Sequence, residues 1–262
     1  MELRGKNCLV IGAGKSGLAA ARLLAGKGAT VVVNDKAELG HLEFHEAENI
    51  TLRGGGHNDD IFKNQDLIVL SPGVPANVKP LSDLLAQAEV EGAEIISEIE
   101  LASRYVKAPI IAVGGTNGKS TTTTLLANML ELGGKKVFSG GNLGTPFCQH
   151  VLNDEEADII VLEVSSFQLE RIKTLRPFIS ILLNISADHL DRYKSMEEYI
   201  DAKNRVFMNQ CSSDYAVING EDESVRQLSS AIRAGIVPFG VKTRHSGGVY
   251  MSNNYLTSEI EG

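Results

Sequence analysis

The sequence contains no tryptophan and only three cysteines among its 262 residues, and aromatic residues make up just 5% of it. The cysteines are Cys8, Cys148 and Cys211, which lie far apart and form neither a CxxC nor a Cys/His spacing. A disulfide framework and a zinc site are therefore not predicted. We expect all three to be buried, reduced thiols.

The sequence also lacks long apolar runs and an excess of positive charge. No uninterrupted apolar stretch approaches the roughly 18 residues of a membrane span, and residues 1–6 do not begin a signal peptide. The formal net charge is −8, which argues against general binding of nucleic acid. We expect a cytoplasmic, monomeric protein that binds neither membranes nor nucleic acid, and any phosphate site must rely on backbone amides and a few lysines.

Short runs rich in Val and Ile alternate with helical patterns, which predicts an α/β fold with parallel sheets in two tandem domains, residues 1–97 and 98–262. Strands are predicted in the first domain at 7–12, 30–35, 66–71 and 93–97, with helices at 15–28 and 79–92. The predicted strands of the second domain are 109–115, 135–140, 157–165, 178–186, 215–220 and 235–240. Residues 247–262 suggest a hairpin whose partner strand is not in this chain.

The first domain opens with "GAGKSG" (12–17), which matches G-x-G-x-x-G directly after a strand. Such glycines allow backbone to approach a pyrophosphate at a helix N-terminus, and an acid such as Asp35 at the end of the next strand binds a ribose hydroxyl. On this segment alone a nicotinamide cofactor is an open possibility. A tight turn that binds no ligand is another.

The second domain opens with "GTNGKS" (115–120), which is one residue shorter than a strict P-loop because Val113 stands where the first glycine belongs. The loop keeps amides ahead of a helix, with Lys119 as a cation for terminal phosphates and Ser120 as a magnesium ligand. We expect a nucleotide triphosphate site here, with a plain turn as the alternative. The predicted contacts are Gly115, Thr116, Asn117, Gly118, Lys119, Ser120 and Thr121.

Three further segments carry polar residues that suit phosphoryl transfer. Glu163 falls near the end of a buried strand, where an acid is costly unless a cation pairs with it. His189 follows another strand, together with Asn184, Asp188 and Asp191, at the sheet edge where α/β sites gather. Lys203 lies on a helix that begins with a capping box, and the helix alone indicates only a solvated lysine.

Five motifs stand in the order and spacing of the Mur ligase superfamily, which this chain resembles over essentially its whole length. They are "GTNGKS", "GGNLGTP" (140–146), "EVSSFQLE" (163–170), "NISADHLDRY" (184–193) and "DAKNRVF" (201–207). "SSFQLE", with "SPG" at 71–73, is most similar to the branch that adds D-glutamate. The resemblance implies a Rossmann-like UDP-binding domain and a P-loop-type Mur ligase central domain that is incomplete, with the C-terminal domain absent.

The reaction implied by the resemblance joins D-glutamate to UDP-N-acetylmuramoyl-L-alanine at the expense of ATP, in peptidoglycan synthesis. A carboxylate is a poor electrophile, so the γ-phosphate is first transferred to it, and the amine attacks the resulting acyl phosphate. Cations must bring the two anions together. The implied partners are therefore the UDP substrate, ATP, D-glutamate and two Mg²⁺ ions.

The resemblance also implies roles for single residues. Lys119 would contact the β- and γ-phosphates, Ser120 and Glu163 would hold one magnesium ion, and His189 the second. Lys203 matches a lysine that is carbamylated to become an anionic ligand of that second ion. Such chemistry needs a neutral amine, and hence a desolvated site with a depressed lysine pKa.

Substrate contacts are implied in the same way. Those for the muramoyl-alanine end are Asn142, Ser165 and His189. Those for UDP are Gly14, Lys15, Ser16, Asp35, Lys36 and Gly73. Lys15 and Ala37 depart from the residues expected beside the uridine.

Because the absent third domain would bind D-glutamate, we expect this chain to bind the UDP substrate and to be inactive alone. Two rival functions stay open on the residues. A nicotinamide-dependent oxidoreductase would use "GAGKSG" and Asp35, but it gives Lys119, Ser120, Glu163 and Lys203 no task. A noncatalytic nucleotide-binding module, or sensor, is the other.

Overall fold

The computed structural model describes residues 1–40, 48–188 and 192–260, which form two compact units. The first unit consists of Met1–Lys107, Gly144–Glu155 and Glu170–Leu175. The second consists of Ala108–Leu143, Glu156–Leu169 and Arg176–Gly262. The expected boundary between functional domains at residues 97 and 98 stays a prediction.

The strands confirm the predicted α/β class. Strands β1 to β5 are Asn7–Ile11, Thr30–Asn34, Ile50–Arg53, Leu67–Leu70 and Glu94–Ser97. Strands β6 to β10 are Ile110–Gly114, Val137–Gly141, Ile159–Glu163, Ile179–Leu182 and Tyr215–Asn219. Strands β11 to β13 are Gly235–Gly240, Val249–Ser252 and Tyr255–Ser258. Every predicted strand is present, and β3 is the strand that the sequence analysis missed.

The helices occupy the connections between the parallel strands. Helices α1 to α4 are Lys15–Gly26, Leu81–Val90, Glu98–Ser103 and Lys119–Leu132. Helices α5 to α8 are Phe147–Asn153, Ser166–Leu169, Met196–Asn204 and Glu223–Gln227. Short 3-10 helices lie at Asp59–Phe62, Arg205–Phe207 and Leu228–Ala231. None of the described helices has both the length and the apolar character that a bilayer crossing requires.

The first unit is built on a five-stranded sheet of order β3-β2-β1-β4-β5 in which every pair is parallel. Its inner strands are almost wholly apolar; β4, for example, is buried at all four positions. Buried side chains of β1, β4, β5 and α2 share one hydrophobic core. The strand order reverses between β1 and β4, and ligands of such sheets bind at the carboxyl ends of the strands at this point.

The second unit is built on an eight-stranded sheet of order β13-β12-β11-β10-β9-β6-β8-β7. Strand β12 pairs in parallel with β11, with Phe239 opposite Val249, and in antiparallel fashion with β13. The prediction that the closing hairpin lacks its partner in this chain is therefore wrong. Strand β10 pairs with only one edge of β11. The backbone groups of the other edge also need hydrogen-bond partners, and β12 supplies them.

The cysteine prediction is correct for two of the three residues. Cys8 and Cys148 are buried, and burial raises the pKa of the Cys8 thiol to about 12. Cys211 is only half-buried, and its Sγ accepts a hydrogen bond from Arg176 Nη2 at 2.8 Å.

Glu100 on α3 is a buried anion that organises the segment 170–175 within the first unit. Its side chain is 0% exposed, and its carboxylate accepts hydrogen bonds from the backbone N–H groups of Lys173, Thr174 and Leu175 at 2.8–3.0 Å. Arg104 Nε donates to it at 2.9 Å. Burial alone would raise the pKa of Glu100, but these donors outweigh burial and lower it.

We predict that Glu100→Gln lowers the free energy of unfolding of this unit by roughly 3 kcal/mol, because the amide loses the charge and turns an N–H group toward other donors. Urea unfolding at pH 7 measures the loss, and Glu89→Gln on the exposed face of α2 is the control. Since the folded pKa of Glu100 is lowered, its contribution is complete above the ordinary carboxyl range and disappears as the pH falls below it. A gap between variant and wild type that stays constant down to pH 2 would contradict the assignment.

Candidate functional site

The loop between β6 and α4 has the backbone that a phosphate site requires. Gly115 and Gly118 have φ values of 143° and 84°, a region that strongly favours glycine, and Gly118 is the N-cap of α4. A side chain at Gly115 would also come within 3.1 Å of Leu183 Cβ. The loop therefore presents backbone to whatever lies before the helix N-terminus, where anions are favoured.

Residues that follow β9 hold this loop in place. Thr116 N–H donates to the carbonyl of Asn184 at 2.9 Å, and Asn117 N–H donates to Asn184 Oδ1 at 2.8 Å. The Asn184 amide in turn donates to the Asn117 carbonyl at 3.0 Å, and Ser186 N–H donates to Thr116 Oγ1 at 3.1 Å. Asn184, a predicted strand-end residue, is thus an anchor of the loop.

Lys119 is the first residue of α4, and its Nζ donates to the carbonyl of Thr116 at 2.8 Å. A cation at a helix N-terminus opposes the helix dipole, which is an arrangement that a bound anion would relieve. Ser120 and Thr121 follow in the first turn and are exposed. The predicted triphosphate contacts, residues 115–121, therefore form one continuous loop and helix turn.

Glu163 ends β8 beside the loop's own strand, β6, and is only 2% exposed. Its Oε1 accepts a hydrogen bond from Asn142 Nδ2 at 2.8 Å, and its carbonyl accepts from the Asn142 N–H at 2.8 Å. A neutral amide orients the carboxylate without bringing a positive charge to it. Asn142 and Glu163, predicted as substrate and metal contacts, are thus directly linked.

Lys203 is buried, with 3% of its surface exposed, and its Nζ donates to the carbonyl of Gly115 at 2.9 Å. Nζ also lies 4.5 Å from the ring centroid of Tyr199, whose hydroxyl is 3.2 Å from Thr116 Oγ1. Burial lowers the pKa of Lys203 to about 7, with Lys119 adding to the effect and Asp188 opposing it. A substantial fraction of this amine is therefore neutral near pH 7.

One further predicted residue, Ser165, belongs to the same unit. Ser165 lies just before α6, and its Oγ donates to Gln168 Oε1 at 3.1 Å. Gln168, which the sequence analysis did not single out, is 1% exposed. His189 and Asp191 lie outside the described residues.

Among residues 1–40, 48–188 and 192–260, no three His, Cys, Asp or Glu side chains come together as a metal-binding group. Magnesium does not need such a group, because it commonly keeps several waters and is held by one or two protein oxygens together with substrate phosphates. The buried Glu163 carboxylate and the Ser120 hydroxyl have that chemistry. The donor set therefore fits a magnesium ion shared with a nucleotide.

The first unit carries a separate glycine loop after β1. Gly12 has a φ of 97°, and a Cβ at Gly17 would lie 1.8 Å from the Gly12 carbonyl oxygen, so no side chain fits there. Gly14 is the N-cap of α1, and Lys15 and Ser16 begin the helix. Ser71 Oγ, after β4, donates to the Gly12 carbonyl at 3.1 Å, which places this loop and the Gly73 segment at the switch point of the sheet.

Asp35 follows β2 and binds the same loop. Its Oδ2 accepts from Ala13 N–H at 2.8 Å, and its Oδ1 accepts from Ala37 N–H at 2.9 Å. Lys36, which lies between Asp35 and Ala37 in the sequence, is exposed. Asn34, which precedes Asp35 in the sequence, is 1% exposed. Its Oδ1 lies 2.5 Å from Nδ1 of His57. Asn34 and His57 were missed, because no motif in the sequence marks either residue.

Comparison with known proteins gives two family matches. Residues 113–260 match the Mur ligase middle domain, and residues 6–97 match the Mur ligase MurD-like N-terminal domain.

The chain is also similar to proteins named UDP-N-acetylmuramoylalanine–D-glutamate ligase. It is 41% identical to the one from Geotalea daltonii and 45% identical to the one from Geotalea uraniireducens, in each case over 100% of this chain and 58% of the relative. The chain thus spans little more than half the length of these relatives.

Among solved structures, the UDP-N-acetylmuramate:L-alanyl-gamma-D-glutamyl-meso-diaminopimelate ligase from Neisseria meningitides matches with a TM-score of 0.62. The identity is 20%, and the match covers 98% of this chain and 85% of that one, which supports the fold alone. The middle-domain match by itself takes in more than half of the residues. The chain belongs to the Mur ligase family.

Proposed function

We propose that this chain carries the UDP-substrate and ATP-binding parts of an ATP-dependent amide ligase that adds D-glutamate to UDP-N-acetylmuramoyl-L-alanine in peptidoglycan synthesis. The observation that carries the proposal is the contact between the buried Lys203 amine and the Gly115 carbonyl at 2.9 Å. It joins a candidate phosphate loop to an unusual lysine in one site. The names of the relatives supply the substrates.

ATP is bound in this proposal by the loop and first helix turn at residues 115–121. The backbone N–H groups at the start of α4 and the Lys119 ammonium face the β- and γ-phosphates. For the ammonium to do so, its hydrogen bond to the Thr116 carbonyl must be exchanged for one to phosphate. That exchange is favourable, because the ammonium then donates to an anionic phosphate oxygen instead of a neutral carbonyl.

Ser120 and Glu163 would hold a magnesium ion, which supplies positive charge to the phosphate oxygens when bound. His189 as a contact of a second ion and of substrate stays a prediction. Asn142 orients the Glu163 carboxylate by its hydrogen bond to Oε1. Asn142 and Ser165 are proposed to contact the muramoyl-alanine end of the substrate.

The chemistry proceeds in two balanced steps. An oxygen of the alanyl carboxylate attacks the γ-phosphorus, the bond to the β-phosphate oxygen breaks, and ADP leaves. The amine of D-glutamate then attacks the acyl carbon, phosphate leaves with the bonding electrons, and the nitrogen loses a proton. Lys119 assists the first step by neutralising the charge that two approaching anions share.

Lys203 is proposed to react with carbon dioxide. The neutral Nζ attacks the carbon, an N–C bond forms, and one proton leaves to solvent, so that the neutral amine becomes an anionic carbamate. Burial supports this reaction because it keeps part of the amine neutral near pH 7.

The first unit is proposed to bind the UDP part of the substrate. Gly14, Lys15 and Ser16 at the start of α1 are placed to meet the diphosphate, since the helix N-terminus and a lysine both favour anions. Asp35, Lys36 and Gly73 flank the same loop and are proposed to meet the nucleoside. Inactivity of the chain alone, its monomeric state and its cytoplasmic location stay predictions.

We predict that Lys119→Met weakens binding of ATP in the presence of Mg²⁺ by at least tenfold, because a charge-assisted bond to phosphate is lost. Isothermal titration calorimetry at fixed salt measures this. Lys135→Met is the matched control: the residue is an exposed lysine just beyond α4, and its loss should leave the affinity within about twofold. Equal losses in both variants would point to long-range charge alone and contradict the assignment.

We predict that ¹³C-labelled bicarbonate gives the wild-type chain a new carbonyl resonance by NMR, and that Lys203→Met removes it. The signal should weaken as the pH falls below about 7, because protonation of Lys203 removes the nucleophilic amine. Lys135→Met should keep the signal. A resonance that persists in Lys203→Met, or none in the wild type at pH 8, would rule out the carbamate.

A further inference from the structure

His57 stands at the carboxyl edge of the first unit's sheet, where the proposed function places the nucleoside. It follows β3, which pairs in parallel with β2 so that Arg53 lies opposite Asn34. Asp35 is the next residue after Asn34, and Gly56 N–H donates to its carbonyl at 3.3 Å. The segment that contains His57 is therefore hydrogen-bonded directly to the segment that contains Asp35.

The hydrogen bonds of Asn34 settle which ring nitrogen of His57 carries the proton. Asn34 Nδ2 donates to the carbonyls of Arg53 and Gly56 at 2.8 and 2.9 Å, which uses both of its hydrogens. The amide cannot be flipped, because Oδ1 would then face two carbonyl oxygens. Oδ1 must accept at its 2.5 Å contact, so Nδ1 of His57 is the donor.

The other ring nitrogen is then an acceptor. In a neutral imidazole with the hydrogen on Nδ1, the lone pair is on Nε2. Partial burial lowers the pKa of His57, with Asp35 opposing this effect and Lys36 adding to it, so the neutral ring prevails at pH 7. Among the described residues, the hydrogen-bond partner of the His57 ring is Asn34 Oδ1 at Nδ1, and none lies at Nε2.

We propose that Nε2 of His57 accepts a hydrogen bond from the imino N–H of a uracil base whose diphosphate lies at the Gly14 loop. This inference rests on the proposed binding of a UDP-linked substrate by the first unit. Uracil carries a hydrogen at N3, whereas cytosine has a lone pair there, which would face the lone pair of Nε2. His57 is thus a specificity residue that selects uridine over cytidine nucleotides.

Two variants separate this role from a purely structural one. The amide nitrogen of an asparagine side chain falls where Nδ1 of histidine lies, so His57→Asn keeps a donor for Asn34 Oδ1 and loses the acceptor at Nε2. The end of a glutamine side chain falls where Nε2 lies, so His57→Gln keeps an acceptor there and loses the bond to Asn34. The unfolding midpoint of each variant shows whether the Asn34 network survives.

The experiment is calorimetric titration of the 262-residue chain with UDP and with CDP. We expect the wild type to bind UDP about tenfold more tightly than CDP, His57→Asn to bind both alike, and His57→Gln to retain a preference for UDP. A preference that persists in His57→Asn and vanishes in His57→Gln would overturn the inference in favour of a structural role.

The titrations of the wild-type chain with UDP and CDP also test the inference by themselves. If the wild type binds UDP and CDP equally, His57 does not read the base, although the proposed diphosphate site stands. If it binds neither nucleotide, the UDP site itself is wrong and the inference falls with it.

Discussion

The hydrogen bond from Lys203 Nζ to the Gly115 carbonyl is the contact on which the second unit's site depends. Burying an amine costs free energy unless it is paired, and within the described part of the chain Nζ meets the neutral Gly115 carbonyl and the face of Tyr199. That is weak compensation for a full charge, which is why the pKa falls to about 7. The same contact fixes α7 against the first residue of the loop, so the geometry of the loop and the chemistry of the lysine are coupled.

The parallel sheet determines which residues join that contact. Strand β6 lies between β8 and β9, so the carboxyl ends of three adjacent strands present Glu163, the loop at residues 115–118 and Asn184 side by side. None of the three segments is adjacent to another in sequence. A one-residue shift in the register of β8 would turn Glu163 to the opposite face of the sheet, so the length of a buried apolar strand fixes the position of a catalytic candidate.

Much of this arrangement could be predicted because buried parallel strands are continuous apolar runs, and a polar residue directly after one must lie at the sheet edge. The residue pattern of α7 could not show that Lys203 is buried, since it gives no sign of which face of the helix meets the loop that begins at Gly115. Strand β3 was missed because an edge strand of four residues, half of them exposed, has too little pattern. The role of Asn34 was likewise invisible, because its partners Arg53 and Gly56 become neighbours only when β3 pairs with β2.

In both units a side chain at the end of a neighbouring strand holds a glycine loop by hydrogen bonds, but the charge of that side chain differs. In the second unit it is the neutral Asn184 amide, which leaves the field of the loop positive and suited to a triphosphate. In the first unit it is the Asp35 carboxylate, which repels phosphate from the end of β2. A diphosphate is then best accommodated toward α1 and Lys15, while the end of β2, with Asp35 and the Nε2 lone pair of His57, favours hydrogen-bond donors. Ribose hydroxyls and an imino N–H are such donors, so in the proposed function the charge of Asp35 would orient the nucleoside diphosphate along the sheet edge.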